Sequence, residues 1–176
     1  MTVLRGVQNL PIQYNRQAAV AYAYRYWDSY NPAFPVFEDD CTNFISQCLY
    51  AGGAPMRGMP NREQGWWMIG LQERWSFSWT VAHSLRWYLQ GSERGLTATR
   101  VYNPSELQLG DVIFYDFQGN GRIDHSTIVT QIIDDTPYVA AHTTNSIDRH
   151  YSYEDSSAYT DQMRYYFFHI HDVFSH

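Results

Sequence analysis

The first half of the chain carries apolar residues at the spacing of amphipathic helices. Three segments show this spacing: 14–29, 42–50 and 78–90. The dipeptide Asn31-Pro32 ends the first segment, and Gly52 and Gly53 end the second. Residues 54–77 combine Gly, Pro, Met, Arg and Trp without a clear period, which indicates a long surface excursion.

The second half of the chain changes to runs of β-branched and aromatic residues bounded by turn residues. Four such runs predict strands: 111–117, 126–134, 137–143 and 163–171. Helices followed by antiparallel strands indicate an α+β domain, with N-terminal helices packed on a C-terminal antiparallel sheet. The chain has 176 residues and no internal repeat or interdomain linker, so we expect a single domain over residues 1–176.

The charged residues exclude several classes of function. All 12 basic residues are arginines, so chemistry that needs a lysine, such as a Schiff base, a pyridoxal phosphate anchor or a phosphate-loop lysine, is excluded. Because 18 acidic residues give a net charge of -6, we expect no nucleic acid partner.

The apolar runs are too short for a membrane span, and the segment from Met1 to Gln17 has no apolar core of the signal-peptide type. We therefore expect no membrane partner and no signal peptide in this chain, and its compartment stays open. Aromatic residues make up 17% of the sequence, and part-exposed rings of this kind suit sugars and extended peptides.

The two cysteines differ in their positions on the second predicted helix. They are seven residues apart, about 10.5 Å along a helix, which is too far for a disulfide. Cys41 follows two aspartates at the first turn, where free backbone N–H groups and the helix dipole favour a thiolate. A small buried residue is the other interpretation of Cys41. Cys48 lies on the apolar stripe and is expected in the core.

A thiolate nucleophile needs a base, and two of the seven histidines lie in predicted strands beside small or polar residues. These are His125, in DHSTIVT, and His142, in AAHTTN. Antiparallel strands joined near Asp134-Asp135 place the start of one beside the end of the next, so we expect the two histidines to be neighbours.

Four strings taken together resemble a known family: DDCTNFISQCL, LQLGDVIFYD, DHSTIVT and YVAAHTTN. The chain is similar, from about residue 14 to about residue 170, to the bacterial putative amidase domain family. That family is itself similar to the NlpC-type and CHAP peptidases of the papain-like clan. The resemblance implies a papain-like fold and a cysteine-dependent amidase or peptidase.

The resemblance also implies roles for individual residues. It makes Cys41 the nucleophile, His125 the general base and then the general acid, and His142 the polar residue that orients His125. Asn145 is the rival for that third role. Asp40 is implied as a substrate-binding residue that recognises an amine, with an N-cap of the second helix as the alternative.

Other residues are expected to brace the fold around the site, to donate to the oxyanion or to contact the substrate. Gly110 and Asp111 are expected to build a turn and brace the sheet. An oxyanion formed on the substrate needs a second donor beside the Cys41 backbone N–H, and Asn43 and Tyr30 are the candidates. Trp79 is expected to bind substrate, and the aromatic excursion from Ala54 to Trp79 is expected to flank the Cys41 cleft.

A second motif has part of the spacing of a calcium loop. Its oxygen ligands are Asp116, Asn120 and Asp124, with Gly121 at the sharp turn. Thr127 stands where the bidentate Glu belongs, and the flanks are strands. We therefore favour a glycine-containing hairpin turn over a weak calcium site, and expect no metal and no cofactor.

Three functions remain open on the sequence. The leading hypothesis is hydrolysis of an amide bond in a cell-wall peptide, with a peptide or peptidoglycan-derived substrate. The first alternative is a catalytically silent module that binds glycan or peptide through exposed aromatics such as Trp66, Trp67, Trp75 and Trp79. The second is an acyltransferase that uses the same triad. The resemblance favours a location at the cell envelope or outside the cell.

Overall fold

A computed structural model describes residues 10–176 and places four α-helices and ten β-strands in that part of the chain. The helices are α1 (Arg16–Tyr26), α2 (Cys41–Ala51), α3 (Phe77–Thr80) and α4 (Ala82–Gly91). The strands are β1 (Ile12–Gln13), β2 (Met68–Ile69), β3 (Arg74–Trp75), β4 (Ala98–Val101), β5 (Val112–Asp116), β6 (His125–Ile133), β7 (Thr136–Ala141), β8 (Ser146–His150), β9 (Arg164–Ile170) and β10 (Val173–Phe174). Most of the segment searched for a signal peptide, residues 1–9, lies outside the described residues.

The predicted α+β class is confirmed. Six strands form one antiparallel sheet in the order β4-β9-β5-β6-β7-β8, with the N-terminal helices α1 and α2 against β6. The third predicted helix is two helices, because Val81 adopts an extended conformation between α3 and α4. The excursion at 54–77 contains the β2–β3 hairpin.

The sheet separates two apolar clusters. Along β5, Val112 and Phe114 face the larger cluster, which includes α2, while Ile113 and Tyr115 face the smaller cluster on the other side. Residues 151–163, a segment without helix or strand, contribute Tyr153 to the smaller cluster. Because both faces are covered, every residue of β5 is buried.

Helix α2 is the central element of the larger cluster. Its residues from Cys41 to Leu49 are all buried. The Ser46 hydroxyl donates to the Trp79 carbonyl and accepts from Trp66 Nε1, which joins the helix to the Trp-rich segment. Cys41 and Cys48 are both free, as their spacing predicts, and both are buried.

The expected bracing role of Gly110 and Asp111 is confirmed. The buried Asp111 carboxylate accepts from Arg16 of α1, from the Ile170 backbone N–H of β9 and from the Gln108 backbone N–H. Gly110 has a φ of +81°, and a Cβ there would lie 2.7 Å from the Tyr14 hydroxyl oxygen. A side chain at that position would therefore be both strained and obstructed.

A bilayer-spanning helix is not found among residues 10–176, since no helix there is long and apolar enough.

Candidate active site

Cys41 is the first residue of α2, and its side chain lies against the start of β6. Its Sγ lies 3.7 Å from the Thr42 hydroxyl. The hydroxyls of Thr42 and Ser126 are 3.0 Å apart, which fixes the start of the helix to the strand. Ser126 directly follows His125 in β6, so α2 is anchored one residue along the strand from the histidine, whose own side chain faces the other side of the sheet.

The Cys41 thiol is 7% exposed, and burial raises its pKa, although hydrogen bonds with Thr42 and Ser126 act in the opposite direction. The position at the helix start alone would lower the pKa of the thiol. Burial has the larger effect, because the hydration that a thiolate loses outweighs its stabilisation by the helix start. The resting group is therefore a neutral thiol.

His125 begins β6 and is 6% exposed. Burial, and to a smaller extent the positive charge of Arg149, lower the pKa of His125 to about 4. The imidazole is accordingly neutral at neutral pH, the state in which it can accept a proton.

Tyr153 is the side chain that hydrogen-bonds to His125. Its hydroxyl oxygen lies 2.9 Å from His125 Nε2. Burial raises the pKa of Tyr153 to about 12, so this hydroxyl stays protonated. The residue is buried with a φ of +58°, an uncommon conformation for a large side chain, and the Arg149 guanidinium carbon lies 3.9 Å from its ring centroid. Sequence reasoning missed Tyr153.

The prediction that His142 orients His125 is wrong. His142 Nδ1 lies 2.6 Å from the Asp40 carboxylate, and Nε2 bonds to the Tyr26 carbonyl oxygen. The ring stacks on Phe44, with centroids 4.1 Å apart. Both nitrogens therefore have other partners, and the histidine lies in the turn directly after β7, the strand next to β6. The rival, Asn145, is exposed in the turn between β7 and β8, and the His125 Nε2 bond goes to Tyr153 instead.

The predicted contact of Asp40 with a substrate amine is also wrong, because its carboxylate is buried and occupied. Oδ1 accepts from the Phe37 backbone N–H and from Asn43 Nδ2, and Oδ2 pairs with His142. Asp40 does occupy the N-cap position of α2, the alternative interpretation, but its side chain makes no capping hydrogen bond. Asp40 instead stabilises the turn that precedes Cys41.

The assignment of Trp79 to substrate binding is wrong too. Trp79 is fully buried, stacks on Trp66 with centroids 4.6 Å apart, and donates from Nε1 to Asn43 Oδ1. This bond, with the two made by Asn43 Nδ2 to Asp40 and the Pro35 carbonyl, also removes Asn43 as an oxyanion donor. Tyr30, the other candidate, is half-exposed and packs edge-on against His142.

The calcium-like motif forms the predicted hairpin turn between β5 and β6. The Asp116 carboxylate accepts from the backbone N–H groups of Asn120 and Gly121, and Asp124 accepts from that of Phe117. Between residues 10 and 176, no group of three or more His, Cys, Asp or Glu side chains is arranged to hold a metal ion. The carboxylates of this turn therefore accept hydrogen bonds from its backbone N–H groups.

Two cavities lie at the candidate site, one lined by Cys41 and the other by His125. One, of about 310 Å³, is lined by Cys41, Thr80, Val81 and Arg122 among others. The second, of about 490 Å³, is lined by His125, Tyr153, Arg149, Asp155, Thr143 and Thr144 among others. Asp124 lines both. The expectation that the aromatic excursion flanks the Cys41 cleft is not met, because the lining of that cavity includes Thr80 but no residue from Ala54 to Trp79.

Comparison with known proteins defines the class of the domain. The sequence matches the family described as the putative amidase domain over residues 13–168, and the chain belongs to that family.

Two relatives come from Bacillus subtilis (strain 168), and both are described as uncharacterized proteins. YhbB is 57% identical over 161 residues, which cover 91% of this chain and 51% of YhbB. YjcM is 31% identical over 165 residues, which cover 86% of this chain and 37% of YjcM. The chain therefore spans about half the length, or less, of the curated relatives it matches. No solved structure matches the chain significantly.

Proposed function

We propose that this chain is a cysteine-dependent amidase or peptidase of papain-like fold, with Cys41 as the nucleophile and His125 as the base. The observation that carries the proposal is the chain of contacts from the Cys41 thiol through the Thr42 hydroxyl to Ser126, the residue that follows the buried, neutral His125, whose imidazole Tyr153 holds. Membership of the amidase family supports it. The papain-like assignment rests on a helix-start cysteine and a strand-start histidine, the arrangement expected from the resemblance.

The neutral resting pair fits a mechanism in which proton transfer accompanies attack. His125 Nε2–H donates to the Tyr153 oxygen, which leaves Nδ1 to accept the Cys41 proton as Sγ adds to the amide carbonyl. Tyr153 stays protonated because of its raised pKa. It is therefore a positioning residue that fixes the tautomer of the base.

The covalent steps then balance within the pair. The oxyanion forms near the start of α2, where backbone N–H groups lack intrahelical partners. The carbon–nitrogen bond breaks, the amine leaves with the proton from His125, and a thioester remains on Cys41. A water molecule then adds to the thioester and gives a proton to His125. The carbon–sulfur bond breaks, the acid is released, and His125 returns the proton to Cys41 Sγ.

The substrate is proposed to be an amide in a cell-wall peptide. The resemblance to the NlpC-type peptidases supports this choice, as do the polar and charged side chains that line both cavities. A location at the cell envelope belongs to the same proposal.

The test is incubation with purified peptidoglycan and with a panel of muropeptides, with products identified by mass. We expect the wild type to cleave at a defined amide, Cys41→Ala to abolish cleavage and Cys48→Ala, the matched cysteine control, to retain it. Cleavage that survives Cys41→Ala, or no cleavage of any wall substrate, would contradict the proposal.

A binding module without activity is the second candidate, because the raised pKa of Cys41 is the direction expected of an inert thiol. Against it, Trp66, Trp67 and Trp79, three of the rings considered for binding, are buried in the core. The rate at which a thiol-directed probe labels Cys41 separates the two: a catalytic pair predicts fast labelling that His125→Gln slows. The acyltransferase alternative predicts that an added amine becomes joined to the acyl group in the product.

A further inference from the structure

Arg149 projects from β8 into the larger cavity, beside the base. Its side chain is 15% exposed, and the guanidinium lies over the Tyr153 ring. Nε and Nη2 both donate to the same oxygen of Asp155, at 3.1 and 2.9 Å. The side chain is therefore held in one orientation, at the wall of the cavity that His125 also lines.

The position of this cation opposes the chemistry proposed for His125. Catalysis makes His125 an imidazolium, and the charge of Arg149 disfavours that state. Asp155 compensates poorly, because its carboxylate is 71% exposed and the pair is screened by water. The two groups are compatible if the substrate binds an anion to Arg149. That anion would offset the repulsion between the guanidinium and the imidazolium as the imidazolium forms.

The reaction assigns this cavity to the leaving group. His125 protonates the departing amine, so the amine side of the substrate must lie next to the imidazole. The cavity next to His125 also offers the hydroxyls of Thr143, Thr144, Ser156 and Ser157. An arginine among hydroxyls suits a carboxylate, which accepts several hydrogen bonds at once.

We propose that the amine released by this enzyme carries a carboxylate, and that Arg149 binds it. The scissile amide then joins an acyl group to an amino acid whose carboxylate lies near the cleaved nitrogen. This inference rests on the proposed function and names its substrate class. Breaking the bond yields the Cys41 thioester and an amino acid, with the proton taken from His125.

The test compares matched substrates. Muropeptides and N-acyl dipeptides are offered as free acids and as the corresponding carboxamides, and kcat/KM is measured by mass spectrometry. A charge-assisted contact predicts that the wild type prefers the acids by about ten- to a hundredfold. Arg149→Gln removes this preference, and Arg149→Lys, which keeps the charge but not the planar fork, restores part of it.

Two further variants control for charge and competition. Arg164→Gln removes an exposed positive charge on β9 outside the cavity lining, and should keep the wild-type preference. Asp155→Asn removes the group that competes for Arg149, and should lower KM for the acids only.

The outcomes separate the inference from the proposed function. Cys41-dependent cleavage that treats acids and carboxamides alike, or a preference that Arg149→Gln leaves intact, overturns the role of Arg149 alone. Absence of Cys41-dependent cleavage in both substrate sets overturns the proposed function, and this inference with it.

Discussion

The protonation state of His125 is governed by its surroundings more than by the ordinary chemistry of imidazole. Burial, and then Arg149, bring its pKa to about 4, so the group is an available base throughout the neutral range. We expect the acid limb of the kcat/KM profile to fall near pH 4. Arg149→Gln should move that limb to higher pH, measured on a substrate cleaved by Cys41. A wild-type limb near pH 6.5 would contradict the burial of the base.

The same shift links folding stability to pH. The folded pKa lies below the ordinary value of 6.5, so the unfolded chain binds the proton more readily between these two values. Stability should therefore fall as pH drops from 6.5 towards 4, by at most on the order of 3 kcal/mol. Urea unfolding at several pH values checks this. His125→Gln should lack this part of the pH dependence, and identical curves for the two proteins would contradict it.

The Tyr153 hydroxyl tests whether orientation of His125 matters. Tyr153→Phe removes the bond to Nε2 and leaves the ring, so we expect kcat/KM to fall by about ten- to a hundredfold with KM little changed. Tyr165→Phe is a matched control, because that hydroxyl donates to the Ser152 carbonyl and not to His125. Equal activity losses in both variants would point to a structural effect.

Sequence reasoning could find the site residues that begin regular elements, but not the one outside them. Cys41 and His125 stand at the starts of a periodic helix and a periodic strand, so the pattern marks both positions. Tyr153 lies in a segment without helix or strand, so no periodicity marks it. The partners of His142 also leave no local pattern in the sequence. The histidine is buried against Asp40 and Phe44, which lie about a hundred residues away in the chain.

At the scale of elements, Asp111 joins α1 to the sheet. Asn has one carbonyl oxygen in place of a carboxylate, and cannot accept from Arg16, His169, Gln108 and Ile170 together. We expect Asp111→Asn to lower the free energy of unfolding by about 3 kcal/mol.

The control for this prediction lies on the same arginine. Asp172 also bonds to Arg16, but its side chain is 68% exposed, so Asp172→Asn should lower stability by less than about 1 kcal/mol. Urea denaturation measures both variants. Comparable losses would show that Arg16, and not the buried carboxylate, carries the connection.

The elements that the sequence revealed are those with a clear period or a closing turn. The strands β4 and β8, with sequences ATRV and SIDRH, were missed because they are short, largely polar and lie at the two edges of the sheet. The pairs β1–β10 and β2–β3 have two residues per strand, too few for any period to appear.

At the scale of the whole molecule, the candidate site lies where the two apolar clusters meet. Cys41 comes from α2, which belongs to the cluster with the buried tryptophans, whereas His125 lies among Tyr115, Phe117 and Tyr153 on the other side. A chain that formed only one of these clusters would hold half of the site. The proposed activity therefore requires both faces of the sheet to be covered at once.

This arrangement predicts that the chain unfolds as one unit. Tryptophan fluorescence reports the helix side, since Trp66 and Trp79 are buried there, while activity needs the tyrosine side as well. If the chain is a single domain, both signals should be lost at the same urea concentration. Loss of activity at a clearly lower concentration would show that the layer carrying Tyr153 opens on its own, and that the sheet joins two units of different stability.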